Sequence, residues 1–269
     1  MEVGPLATTS LEGGRKRFVW HTENHQLHPW RDRINWKLLE LSRIFSRCRI
    51  MNEFSLEASS EDDAEQGPRW DYLLGSSMKA VISALPVGLK SLTLDTSGST
   101  LATSEQDRNP VHLCSLIALR LQDFEQVRIR MRHICPQILD ISNNLSDTPS
   151  RLERLLIRLS IPSFPEASYE HHVGYGEYSA KACLAYHCKH GGRSQDMTDA
   201  GIQLARAINL DMMRITYKSP EASVSLVVAD CVRRRQLYHP AEVFAYEDDG
   251  RAWDSWEDTS EDLREGPPI

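Results

Sequence analysis

The sequence lacks any long apolar run. No segment has the roughly 18 consecutive apolar residues that a membrane-spanning helix needs. The N-terminal stretch MEVGPLATTSLEGGRKRF has no apolar core long enough for a secretory signal. The six cysteines are scattered along the chain, unlike the dense frameworks of small disulfide-stapled secreted domains. These features predict a soluble protein of the cytoplasm or nucleus, with reduced thiols and no membrane partner.

The motifs of common catalytic and cofactor sites are also missing. There is no nucleophile elbow, phosphate-binding loop or dinucleotide fingerprint, and HHVGYGEY has two glycines without a strand-to-helix context. Cys135 follows His133 in RHICPQIL, but its apolar surroundings after a strand favour a buried structural cysteine over a nucleophile. The sequence therefore predicts no enzyme activity and no cofactor.

The size and net charge of the chain further limit the class of protein. The 269 residues are 41% hydrophobic, which is enough to bury a sizeable core. Lysine and arginine number 31 against 38 acidic residues, so the formal net charge is -7. This net charge argues against a nucleic-acid partner unless the basic residues gather on one face.

Five stretches share the apolar spacing LxxLxL, first evident in GLKSLTLDTSG. Because side chains alternate along a strand, the last two apolar residues of each copy would point into the core. The first would pack at the bend leading into the strand. The five triplets are Met51, Phe54 and Leu56; Leu89, Leu92 and Leu94; Phe124, Val127 and Ile129; Leu152, Leu155 and Ile157; and Leu210, Met213 and Ile215.

Segments with helical periodicity separate several copies. They are RWDYLLGSSMKAVISALP, PVHLCSLIALRL and SQDMTDAGIQLARAI, and a further helix is predicted from His28 to Phe45. The middle apolar residues of successive copies are 38, 35, 28 and 58 residues apart, so the repeat is irregular. We predict an α/β fold, an irregular leucine-rich-repeat-like solenoid with parallel strands on one face and helices on the other. An ordinary doubly wound α/β domain is the alternative.

The chain divides into three predicted parts. Residues 1–20 form a flexible arm, residues 21–245 the α/β domain, and residues 246–269 an acidic, solvated tail. Near the end of the domain, ASVSLVVADCVRRRQLYHP contains two strand-like runs around Asp230 to Arg234. These runs predict a C-terminal hairpin that closes the open end of the sheet.

Aligning the five copies on their apolar residues predicts which outward positions share a row of the sheet. The rows are Glu53, Ser91, Gln126, Arg154 and Met212; Ser55, Thr93, Arg128, Leu156 and Arg214; and Glu57, Asp95, Arg130, Arg158 and Thr216. Arg128, Arg130, Arg154, Arg158 and Arg214 would thus form one basic patch. Such a patch would bind an acidic or phosphorylated protein partner. The alternative is a solvated sheet face, partly neutralised by Asp95 and by Glu125 or Glu153.

A second candidate site lies in KACLAYHCKHGG. If this segment is helical, Cys183, His187 and His190 fall at i, i+4 and i+7 on one face and could bind zinc. No CxxC pair or HExxH accompanies them, and the helix dipole by itself favours histidines at a C-terminus. We therefore predict no metal, and keep a zinc-binding or metal-dependent protein as the alternative function.

Three stretches resemble a known family. GLKSLTLDTSG, HLCSLIALRLQDFEQVRIRMRHICPQIL and RLLIRLSIPSFPEA are similar to the leucine-rich-repeat-like region of fungal F-box-type proteins. The most distinctive part is Val127 to Pro136, VRIRMRHICP, and the likeness extends over about residues 30 to 245.

The resemblance implies a role in binding proteins. In that family an N-terminal F-box binds the adaptor of a cullin ubiquitin ligase, and the repeat region receives the substrate. Here residues 1–30 have no LPxEI-like helix start, so the sequence does not support the ligase adaptor as a partner. The expectation is a non-enzymatic interaction domain without catalytic residues, and a relic that has no partner is a further alternative.

Overall fold

The computed structural model describes residues 8–12, 15–19, 27–48, 50–58, 72–96, 101, 111–131, 134–141, 150–159, 193–218, 226–239 and 264–269. Strands β1 (Thr8–Glu12) and β2 (Arg15–Val19) precede helix α1 (Leu27–Phe45). Next come β3 (Glu53–Glu57), α2 (Gly75–Ala84), β4 (Ser91–Asp95), α3 (Leu113–Ala118), β5 (Gln126–Met131) and β6 (Arg154–Leu159). The remaining elements are α4 (Arg193–Ile208), β7 (Met212–Lys218), β8 (Leu226–Asp230), β9 (Arg235–His239) and β10 (Arg264–Pro268). Two 3-10 helices, Leu121–Asp123 and Pro136–Leu139, flank β5.

Strands β3 to β10 form one sheet of eight strands whose spatial order follows the chain. Strands β3, β4, β5, β6 and β7 pair in parallel, each with the next. Strands β8, β9 and β10 continue the sheet in antiparallel fashion beyond β7. The predicted α/β class, the five parallel strands and the hairpin are confirmed.

The LxxLxL residues form the inner face of the sheet. The second and third apolar residues are buried in the copies on β4, β5, β6 and β7, and the first residue, as at Leu89 and Phe124, is buried before each of these strands. In β3 the corresponding Phe54 and Leu56 are only partly buried, because this strand lies at the sheet edge and has a neighbour on one side. The side-chain period of two thus places the apolar set of every copy against the same core.

The helices pack on this inner face, and each one contacts the helix that precedes or follows it in the chain. Helix α1 contacts α2, α2 contacts α3, and the 3-10 helix Pro136–Leu139 contacts both α3 and α4. Asn35 ties α1 to the chain before α2. Its Nδ2 donates to the carbonyl of Tyr72 at 2.7 Å, and its Oδ1 accepts the N–H of Leu74 at 2.9 Å. Since buried polar groups cost free energy unless they are hydrogen-bonded, this pairing lets Asn35 lie inside the helical layer.

Helix α4 approaches the sheet closely at Gly201. A Cβ atom there would lie 2.8 Å from Cys231 Sγ and 3.0 Å from both Ile215 Cδ1 and Met213 Cε. Even a methyl group at this position would require these side chains to move, so the close approach favours glycine.

Both ends of the chain contain strands that the sequence pattern did not predict. Within the arm predicted to be flexible, β1 and β2 pair as an antiparallel hairpin, for which the Gly13-Gly14 dipeptide is a sequence signal. Within the tail predicted to be solvated, β10 pairs with β9. Its sequence, REGPP, has no strand pattern, but proline is tolerated on an edge strand because no further ladder needs its N–H. Among the described helices, none is long and apolar enough to cross a membrane.

Candidate functional site

The outward side chains of β3 to β7 lie in the rows predicted from the leucine alignment. Thr93 pairs with Arg128, Arg128 with Leu156, and Leu156 with Arg214. In the next row Asp95 pairs with Arg130, and Arg130 with Arg158. The predicted register is confirmed, and a slip of one residue would have turned the apolar residues of a strand outward.

Five arginines consequently share the outer side of β5, β6 and β7. We define the arginine face as Arg128, Arg130, Arg154, Arg158 and Arg214. The aligned outward positions of β4 to β7 include these five cations and one carboxylate, that of Asp95. On a chain with a formal charge of -7, this is a local concentration of positive charge.

Asp95 and Arg130 form an ion pair across β4 and β5. Arg130 Nη1 lies 3.3 Å from Asp95 Oδ2, and the two side chains are 17% and 7% exposed. Because both groups are largely removed from water, the loss of either one would leave a charge that is costly to bury. Arg130 is thus part of the scaffold of the face.

Arg154 is the arginine of the face best placed to bind a partner. It is half-buried at the start of β6 and makes no side-chain hydrogen bond or ion pair with another described residue. Its paired neighbour on β5 is Gln126, so Arg128 lies two residues further along the same side of the sheet. Side chains in this diagonal relation lie about 7–8 Å apart, a spacing that one carboxylate or phosphate group can bridge.

Arg214 occupies a different environment from the one expected at an exposed outward position. It is only 9% exposed, and its directly paired residue on β8 is Asp230, a buried carboxylate. Asp230 accepts the backbone N–H of Arg233 at 3.0 Å and lies 3.9 Å from Arg235 Nε. Asp230 is a site residue that the sequence reasoning missed, although extending the alignment across the predicted hairpin would have placed it on the same side of the sheet.

Solvent exposure decreases across the outer side from β3 towards β9. The outward residues of β3 are exposed and those of β4 and β5 are mostly half-buried, whereas Leu156, Val228 and Leu237 are buried. Individual guanidinium nitrogens of Arg128, Arg158 and Arg214 are likewise shielded from solvent. A partner would therefore reach the arginine face from β4 and from the end of the sheet at which the parallel strands begin.

Glu125 does not neutralise the arginine face. Its Oε1 lies 2.7 Å from Arg151 Nη2 and 3.6 Å from Lys90 Nζ, which precede β6 and β4. Glu153, the other glutamate considered as a counter-charge, is exposed. The carboxylates at the aligned outward positions of β3 to β8 are Glu53 and Glu57 on β3, Asp95 on β4 and Asp230 on β8.

The pKa of Glu125 lies below its ordinary value, chiefly because Arg151 donates a hydrogen bond to the carboxylate. Burial opposes this shift, and the charges of Lys90 and Arg151 add to it. We expect Arg151→Ala to move the pKa back towards the ordinary value in an NMR titration, with a smaller change in Lys90→Ala. An unchanged pKa in Arg151→Ala would contradict the pairing.

The sign of the pH effect follows from the direction of this shift. A depressed pKa in the folded state means that the pair stabilises the fold above the unfolded-state pKa of glutamate. This contribution is lost as the pH falls through the folded-state value. Wild-type protein should therefore lose its stability advantage over Arg151→Ala on acidification.

Only some of the cysteine and histidine candidates lie among the described residues. Cys183, His187 and His190, the predicted alternative zinc ligands, lie outside the described residues, as does His133. Cys135 is fully buried, as predicted for a structural cysteine. Burial raises the pKa of the Cys231 thiol to about 12, with further contributions from the charges of Asp230 and Asp199. Cys231 is thus a protonated core residue at neutral pH and an inert thiol.

The arginine face is accordingly the candidate site that the fold assembles from the predicted residues. Comparison of the chain with protein-family models, with curated proteins and with solved structures gave no match.

Proposed function

We propose that this protein is a non-enzymatic interaction domain of the cytoplasm or nucleus, built as an irregular leucine-rich-repeat-like solenoid. Its arginine face binds an anionic segment of a partner protein, in which carboxylates or phosphates supply the charge. The relation to substrate recognition in F-box-type proteins belongs to the same proposal.

A repeated pattern of backbone hydrogen bonds supports the proposal of a solenoid. The carbonyl of Lys90 accepts the N–H groups of Glu125 and Gln126, at 2.8 and 2.9 Å. The carbonyls of Asn52, Glu125 and Glu153 each accept two consecutive N–H groups from the next unit in the same way. Four successive junctions thus share one geometry, as expected when equivalent units stack on their neighbours.

The observation that carries the binding proposal is the alignment of five arginines on three adjacent parallel strands. Guanidinium groups are planar, always charged, and donate paired hydrogen bonds to carboxylate and phosphate oxygens. The sheet fixes the backbone beneath Arg128 and Arg154, so little conformational freedom is lost when they bind an anion. A solvated surface would not require the charge of one sign to be concentrated in this way.

Binding to defined anionic peptides tests the proposal. A library of fluorescent peptides, with acidic, phosphorylated and neutral members matched in length, would be titrated with the full chain. We expect the charged peptides to bind more tightly than the neutral ones, and Arg154→Ala to weaken the best of them by roughly 10-fold or more, the loss typical of a charged interface contact. Raising the salt concentration should weaken the same peptides.

The matched control is Arg206→Ala, which removes an exposed arginine from α4 on the helical side. It lowers the net charge by the same amount and should leave the affinity unchanged. Equal losses in both variants would mean that the peptides respond to overall charge and that the arginine face is not the binding site. Circular dichroism and the unfolding midpoint confirm that each variant is folded.

A further inference from the structure

Three potential metal ligands from two different connections of the fold meet beside α3. His112 and Cys114 begin this helix, and Cys135 precedes the 3-10 helix Pro136–Leu139. His112 Nε2 lies 3.3 Å from Cys135 Sγ. The ligand atoms of all three side chains lie within 4.8 Å of one another.

These separations suit a tetrahedral zinc ion. With Zn–S bonds of about 2.3 Å and Zn–N bonds of about 2.0–2.1 Å, neighbouring ligand atoms lie roughly 3.5–3.8 Å apart. The three side chains therefore need only small rotations to bind one ion. Thiolate and imidazole ligands favour zinc over the oxygen-seeking cations magnesium and calcium.

The contacts of His112 also accommodate the tautomer that a metal ligand needs. Its Nδ1 lies 2.7 Å from Ser115 Oγ, one helical turn further on. A neutral imidazole that donates from Nδ1 to this hydroxyl presents the lone pair of Nε2 towards Cys135. Metal-binding histidines characteristically have a second partner of this kind, which holds the ring in orientation.

Burial explains why two cysteines suit this position. Cys114 and Cys135 are 1% and 0% exposed, and His112 is half-buried. Two thiolates balance the charge of a divalent ion, so the bound centre places no net charge in the core. The same burial argues against a nucleophilic Cys135, because a substrate could not reach its sulfur.

We propose that His112, Cys114 and Cys135 supply three of the four ligands of a tetrahedral Zn²⁺ ion. The bound ion would fasten α3 to the connection between β5 and β6. That connection contains the four-residue 3-10 helix Pro136–Leu139, whereas α2 and α4 have 10 and 16 residues. A metal bridge compensates for the small apolar surface that one turn can bury.

Zinc uptake by the full chain tests the proposal. Protein purified without an affinity tag, reduced and stripped with a chelator, would be titrated with Zn²⁺ alone in competition with a chromophoric chelator. We expect one high-affinity zinc per chain and a higher unfolding midpoint with zinc. Ser115→Ala should weaken binding by about 10- to 100-fold, since it removes the hydrogen bond that orients the imidazole.

Variants locate the site. His112→Gln and Cys135→Ser should lose the high-affinity zinc and the zinc-dependent rise in midpoint, whereas Cys231→Ser, which alters a buried cysteine elsewhere, should retain both. His112→Gln changes a half-buried side chain and keeps the core intact, so the test does not depend on the folding of Cys135→Ser. Absence of stoichiometric zinc in the wild type would overturn the proposal. So would binding that survives in His112→Gln but is lost in the double variant Cys183→Ser/His187→Gln.

The electronic spectrum of the Co²⁺-substituted wild type gives a second readout that needs no variant. Two thiolates and an imidazole predict sulfur-to-cobalt charge-transfer bands together with the strong visible bands of tetrahedral Co²⁺. The weak spectrum of octahedral, oxygen-bound cobalt would contradict the proposed ligand set.

Discussion

Replacing Leu94 by alanine is expected to lower the free energy of unfolding by about 2–5 kcal/mol, the range for truncating a fully buried leucine. Leu94 is the third apolar residue of its LxxLxL triplet and is buried between strands on both sides. The loss combines the transfer free energy of the deleted atoms with a cavity that the paired neighbours cannot fill. Urea unfolding of the wild type and variant, monitored by circular dichroism, measures the difference.

Leu56→Ala is the matched control because Leu56 pairs directly with Leu94 on edge strand β3. This leucine is only partly buried, so its truncation should cost about 1 kcal/mol. Equal costs at the two positions would contradict the assignment of β3 to the edge and of β4 to the interior of the sheet.

Replacing Asp230 by alanine is expected to lower the free energy of unfolding by about 1–3 kcal/mol, the cost of leaving hydrogen-bonded and charged partners of a buried group unsatisfied. The carboxylate is buried next to Arg214, which is itself buried, and it accepts the N–H of Arg233 in the turn between β8 and β9. Without Asp230, the turn loses the hydrogen bond to the N–H of Arg233, and the guanidinium groups of Arg233 and Arg235 lose their carboxylate partner. Thermal and urea unfolding would measure the change.

Asp211→Ala is the control for this effect, since Asp211 is an exposed aspartate just before β7. Its loss should change stability by less than about 0.5 kcal/mol. A similarly small effect of Asp230→Ala would show that the outer side of β7 and β8 is not held together by this carboxylate.

The register of the sheet could be predicted because the pattern and the physics have the same period. Phe54, Leu92, Val127, Leu155 and Met213 occupy equivalent positions, and a slip of one residue in any strand would turn its apolar residues to the outside. That constraint fixed which arginines share a row. It required no knowledge of the connections between the strands.

Burial of the outward side chains could not be predicted in the same way. The alignment assigns Arg214 to the outer side, but its exposure depends on what packs around it, which a strand period does not encode. Asp230 illustrates this limit, since the alignment gives its side of the sheet but not its partner, which is set by the antiparallel register of β8 against β7.

The cluster of His112, Cys114 and Cys135 beside α3 could not be predicted from the sequence for a different reason. Cys135 is adjacent in sequence to candidates such as His133, whereas the structure brings it to His112, 23 residues away. No local spacing motif connects the two, because they belong to successive connections of the fold. Strand β10 was missed for a related reason, as its pairing uses backbone groups of a segment without apolar alternation.

The measurement that tests the central claim most directly is an NMR titration of isotope-labelled protein with the tightest anionic peptide. Our account predicts that the amide and guanidinium signals of Arg128 and Arg154 shift. The backbone amide signals of Thr93 and Gln126, on the same side of the sheet, should shift with them. Signals from α1, α2 and α4 should stay in place. Shifts confined to the helical side, or no shifts at saturating peptide, would contradict the assignment of the arginine face as the binding site.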